Sequence, residues 1–219
     1  MDREILVKSI REELKAGEIR KKLFPMMTTY GIRDYSETVH TMGLNYLTAI
    51  GRTIDGVTAI SECPVYPYEE INNSSISNMN IKVADLPGEY KVEREPIVRP
   101  DSIWYSIIDN TPLLLCEFER YDNSRLKNGK LKEKIQNLLI AYNQLGRRVP
   151  LILFVYWTYP MVTPGDITDY IRIFDEGFLM SNGVRVQGID GRITEYLVYH
   201  CVASGVKENL TFNQWIKVR

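Results

Sequence analysis

The sequence predicts an α/β fold in which a mixed sheet is flanked by helices. Three observations carry this. The first fifty residues show helical apolar spacing, three strand-like segments follow, and a long amphipathic helix leads into the unbroken apolar run Val149–Trp157. Composition agrees with a globular chain. Of 219 residues, 44% are hydrophobic and 25% charged, enough to bury a core without disulfide or metal staples. We expect a single domain over 1–219, with a helical N-terminal extension (1–33), a core (34–157) and a C-terminal α+β extension (158–219).

The elements follow in order. Residues 2–24 repeat Ile5, Leu6, Ile10, Leu14, Ile19 and Leu23 at near-helical intervals. Gly17 is a natural break and Pro25 an end. A second helix starts after Asp34 or Ser36 as cap, carries Val39, Met42, Leu44, Leu47 and Ile50, and stops at Gly51. Val57–Val65 reads as a strand. The stretch 67–96, rich in Asn, Ser, Pro and Glu and containing INNSSISNMN, reads as a surface loop or insertion.

Pro96–Ile108 and Leu113–Glu119 form two strands turned at Asp109-Asn110. The second is central, because it begins as a continuous apolar run. Lys130–Leu145 is a helix with Leu131, Ile135, Leu138, Leu139, Tyr142 and Leu145 on one face. Val149–Trp157 is a strand buried on both faces. Asp166 caps a helix reaching Met180, Val184–Ile189 and Ile193–Val202 make a hairpin around Asp190-Gly191, and Phe212–Val218 is an edge strand.

Several classes of function find no support. The charged N-terminus shows no signal-peptide h-region, and no apolar run approaches the ~20 residues of a membrane span, so we expect an intracellular, cytoplasmic protein without a membrane partner. Cys63, Cys116 and Cys201 are widely separated and lack a C-x-x-C pair, which argues against zinc and for reduced, buried thiols. Walker A, G-x-G-x-x-G and G-x-S-x-G patterns are absent. His40 and His200 lie in different elements and receive no role.

The carboxylates are the informative residues. Asp101 follows Pro100 at the start of one strand. Glu117 and Glu119 share one face of the next, because strand side chains alternate. Glu117 follows Leu113–Cys116 in a central strand, so it is expected to be at least partly buried, and a buried carboxylate needs a partner or a metal. Glu37 lies in the first turn of the second helix, where the helix dipole alone also explains it. From Arg120 to Arg148 there are eight Lys or Arg against two Asp or Glu, in a chain of net charge −1. A basic stretch beside an acidic cluster suits a polyanionic ligand, and equally a solvated helix face. Tyr105 and Tyr121 suit either base stacking or packing.

RPD at Arg99–Asp101 and CEFER at Cys116–Arg120, in the element order helix-strand-strand-strand-helix-strand, resemble the PD-(D/E)xK, or restriction-endonuclease-like, superfamily over residues 34–157. The resemblance implies that superfamily's α-β-β-β-α-β core and metal-dependent hydrolysis of nucleic acid, DNA in the first place. Mg²⁺ or Mn²⁺ would be held by Asp101, Glu117 and the backbone carbonyl of Phe118. Glu119 would orient water or bind a second cation, and Glu37 would hold a water from the helix. The superfamily usually has Lys where this chain has Glu119. Some members move the basic residue to the following helix, where Lys132 or Gln136 would contact phosphate. Nucleases of this type often dimerise, so a homodimer is compatible with the resemblance. Two alternatives stay open: an inactive member of the same fold that binds nucleic acid or protein, and an unrelated assembly protein pairing through its N-terminal helix.

Overall fold

The computed structural model describes residues 2–35, 37–66 and 96–219. The INNSSISNMN stretch and Ser36, read above as a loop and a possible cap, lie outside them. Helix α1 (Arg3–Ala16) is capped by Asp2, whose Oδ1 accepts the Glu4 N–H at 3.0 Å. It ends at Gly17, whose φ of 68° lets the chain turn into α2 (Glu18–Leu23). Buried Glu13 locks this corner: its carboxylate accepts the Ile19 and Arg20 N–H groups (3.0 and 3.1 Å) and the Tyr46 hydroxyl (2.9 Å). After Pro25 the chain makes a π-helical turn, Met26–Tyr30.

Helix α3 (Thr38–Arg52) precedes strands β1 (Val57–Ser61), β2 (Ser102–Ser106) and β3 (Pro112–Arg120). Helix α4 (Arg125–Gln144), strand β4 (Leu151–Thr158) and helix α5 (Thr168–Glu176) follow. A two-stranded ribbon comes next, β5 (Phe178–Leu179) with β6 (Arg185–Val186), and then β7 (Glu195–Val206) and β8 (Asn209–Lys217). The main sheet runs β1-β2-β3-β4-β7-β8. β1, β2 and β3 are antiparallel neighbours, β3, β4 and β7 are parallel, and β8 returns antiparallel to β7. The architecture is therefore mixed α/β, a six-stranded mixed sheet flanked by helices.

Alternation along the strands separates two apolar layers. On one face Trp104, Leu114, Cys116, Phe118, Val155 and Cys201 pack with α1 and α3. On the other Ile103, Leu115, Phe154 and Val198 pack with α4 and α5. Gly43 brings α3 close to the sheet, since a Cβ there would stand 2.2 Å from the Phe118 ring. This contact fixes the height of α3 and of His40, one turn earlier, above β3.

Three expectations are corrected. Asp34 is not the cap of α3, which begins after Glu37. Asp34 is buried and carries the Arg120 guanidinium at 3.3 Å and a short hydrogen bond from the Tyr159 hydroxyl. The hairpin around Asp190-Gly191 does not form. Val186 pairs with Phe178, whereas β7 joins the main sheet parallel to β4, with Tyr196 opposite Ile152. The run Tyr196–Cys201 is buried throughout, so it needs cover on both faces, which a surface hairpin cannot give. The helix expected to reach Met180 ends at Glu176, because Gly177 at φ 69° turns the chain. The three cysteines are free thiols, with Cys116 and Cys201 buried. Among the described residues no helix is long and apolar enough to cross a membrane.

Candidate functional site

Asp101 sits one residue before β2. Ser102 pairs with Cys116, so Asp101 falls beside Glu117 of β3. Both are buried, Glu117 completely. Asp101 Oδ2 accepts the Phe118 N–H at 2.7 Å, which ties the carboxylate to the neighbouring strand. The Lys134 ammonium, from α4, lies 3.3 Å from Asp101 Oδ1 and 2.7 Å from Glu117 Oε2. Since both oxygens touch one ammonium, they stand no more than 6 Å apart. The other Glu117 oxygen, Oε1, is buried with no hydrogen-bond partner.

Two more side chains close the site. His40 Nδ1 lies 2.8 Å from the Phe118 carbonyl; a carbonyl only accepts, so that nitrogen donates. Its Nε2 faces Asp101 Oδ1 at 3.5 Å. Glu119, two residues along the same strand face as Glu117, is buried and paired with Lys127 at 3.0 Å. Beside these groups opens a cavity of about 160 Å³, walled by Asp34, Glu37 and His40 on one side and Glu119, Lys127, Lys130 and Lys134 on the other.

The electrostatics follow from burial. Desolvation is the main force raising the Glu117 pKa well above 4.5; the Asp101 charge adds to it and Lys134 opposes it. For Lys134, burial works against the charge, but Glu117 and Asp101 outweigh it, so its pKa is raised. The two directions are compatible. Two carboxylates on one ammonium leave an excess negative charge, and Glu117, the deeper carboxylate, holds a proton most readily while Lys134 stays cationic.

A pH dependence follows. The folded-state pKa of Glu117 lies above its unfolded value near 4.5, so its burial penalty is absent below that pH and grows as pH rises through the window between them. Glu117→Gln cannot ionise. The variant's stability relative to wild type should therefore improve steadily as pH rises above 4.5. Urea unfolding from pH 4 to 8 measures this, and parallel curves for the two proteins would place the titration elsewhere.

The structure brings together Asp101, Glu117, Phe118, Glu119 and, at the cavity rim, exposed Glu37. It does not bring Lys132 or Gln136 there. The buried stripe of α4 runs through Leu131, Ile135, Leu138 and Leu139. At 100° per residue Lys132 and Gln136 fall on one flank of that stripe, and Lys127, Lys130 and Lys134 on the other, which faces the carboxylates. The helix also begins at Arg125, capped by the Ser124 hydroxyl, so Lys127 belongs to it. His40 and Asp34 were likewise missed. His40, on α3, is one turn beyond the N-cap residue Glu37, and that i, i+3 spacing was the available signal. Tyr121 is buried against Tyr156 and cannot stack on a base from there.

Asp101, Glu117 and the Phe118 carbonyl are oxygen donors of the kind that hard divalent cations prefer, and the unpartnered Glu117 Oε1 is one such donor left unused. Among the described residues no group of three or more His, Cys, Asp or Glu is gathered closely enough to hold a metal ion without the main chain. A larger cavity, about 620 Å³, opens at the far end of α4 near Leu145, Met180 and Val186, with no carboxylate on its wall. Comparison with protein-family models, curated proteins and solved structures finds no match to the chain.

Proposed function

We propose that the chain is a metal-dependent nuclease of the PD-(D/E)xK type, hydrolysing phosphodiester bonds of nucleic acid, DNA in the first place. One observation carries the reading: Asp101 and Glu117, buried on adjacent strands, converge on a single cationic group, with Glu117 Oε1 unpartnered beside it. The order α3-β1-β2-β3-α4-β4 agrees with the core of that superfamily and supports the resemblance.

In this reading Asp101, Glu117 and the Phe118 carbonyl would hold Mg²⁺ or Mn²⁺, which when bound would supply Lewis-acid polarisation of a phosphoryl oxygen and a more acidic water. The residues of the chain do the remaining work. Lys134 supplies the ammonium that the superfamily usually carries at the position of Glu119, so its departure from the carboxylates would direct a positive charge at the phosphate. Glu119 is held in place by Lys127 and can orient a water. His40 positions the Phe118 carbonyl through its Nδ1 contact. Glu37 lines the route in.

A second reading has its own observation. Lys134 already neutralises much of the carboxylate pair without any metal, as it would in a catalytically inactive member of the fold that binds nucleic acid or protein. The purified protein is expected to cut supercoiled, linear or single-stranded DNA in Mg²⁺ or Mn²⁺ and to stop when EDTA is added. No cleavage of any of these substrates would favour the binding module.

A further inference from the structure

The cations around the cavity are not equivalent. Lys134 is committed to Asp101 and Glu117, Lys127 to Glu119, and Arg120 to Asp34. Lys130 lines the same cavity, is exposed, and has no ion pair among the described residues. It stands on the same flank of α4 as Lys127 and Lys134, at i, i+3 and i+7, so the helix holds it between two lysines already occupied. Among the described residues it is therefore the one Lys or Arg on this cavity wall that no carboxylate engages, and Glu37 is the one carboxylate there without an ion pair. The cavity, at about 160 Å³, has room for roughly five waters at ~30 Å³ each, which suits a phosphate group and its hydration but not a base pair.

We propose that Lys130 is the phosphate-contacting residue of this site, receiving a backbone phosphate of a nucleic-acid strand next to the bond at the carboxylates. The inference takes the polyanion's identity from the nuclease reading. A lysine meeting phosphate as a point charge makes no base contact, so its contribution is independent of sequence and sensitive to salt. Lys132, exposed on the opposite flank of the helix, provides the internal comparison.

The test is fluorescence anisotropy with labelled single-stranded and duplex oligonucleotides of two unrelated sequences. It is run in Ca²⁺ and repeated in EDTA, over a series of salt concentrations. Lys130→Gln should weaken binding about three- to tenfold at low salt, equally for both sequences, and lower the salt-dependence slope by about one. Lys130→Arg should restore the affinity, and Lys132→Gln should leave it close to wild type. Equal effects of Lys130→Gln and Lys132→Gln would overturn the proposal, and so would wild type that binds neither oligonucleotide. Cleavage is scored separately in Mg²⁺ on the same preparations. Binding that depends on Lys130 without cleavage would sink the nuclease reading and leave this one standing.

Discussion

Asp101→Asn is expected to abolish metal-dependent cleavage, by about 10³-fold or more, while the protein stays folded. The size follows from the work assigned to the carboxylate. Holding a cation against a phosphoryl oxygen stabilises transition-state charge by several kcal/mol, and ~4 kcal/mol corresponds to about 10³ in rate. The fold should survive because the amide oxygen of Asn can still accept the Phe118 N–H now held at 2.7 Å by Oδ2. What the variant loses is the negative charge, together with the acceptor at Oδ1 that faces Lys134 and His40. Cleavage rates on a plasmid substrate, with circular dichroism to check folding, decide it. Metal-dependent cleavage retained in a folded Asp101→Asn protein would remove Asp101 from the mechanism.

Glu37, Asp101, Glu117 and Glu119 were legible in the sequence as carboxylates of the site, whereas Asp34 and most of the cations were not, for a physical reason. A carboxylate in the apolar run Leu113–Cys116-Glu117 stands out because burial makes it costly, and a Pro-Asp at a strand start has few places to go once the strands pair. Lysines on a helix carry no such mark. Which flank of α4 faces β3 depends on how its apolar stripe seats on the sheet, and with Lys at 127, 130, 132 and 134 the sequence offers cations on both flanks. The reading that placed Lys132 and Gln136 at the site chose the wrong flank. The same limit applied to β7. Ile193–Val202 was legible as a strand, but its place beside β4 depends on a long-range parallel pairing with no local turn to announce it. The Asp34–Arg120–Tyr159 cluster joins residues 125 positions apart and has no sequence signature at all.

Lys134→Met should destabilise the protein strongly in chelator and be rescued by divalent cations. Removing one partner of a buried ion pair typically costs about 3–5 kcal/mol, because the remaining charge is left uncompensated. The lower end, about 3 kcal/mol, is appropriate here, since the Lys134 side chain keeps 21% of its surface in water. Glu117 can partly escape by binding a proton, so the loss should be smaller at pH 5 than at pH 8. A divalent cation held by Asp101 and Glu117 would compensate the same two charges without the ammonium. Ca²⁺ at a hundred times its dissociation constant would then return about 2.7 kcal/mol. With no ammonium competing for the carboxylates, the variant should also bind Ca²⁺ more tightly than wild type, as calorimetry can measure, even as cleavage in Mg²⁺ falls. Urea unfolding with and without Ca²⁺ separates the two readings of the site. Destabilisation that Ca²⁺ reverses means that the carboxylates and the lysine share a position a metal can take. Destabilisation that no divalent cation reverses means that Lys134 is a structural counter-ion, which counts against the metal-site reading.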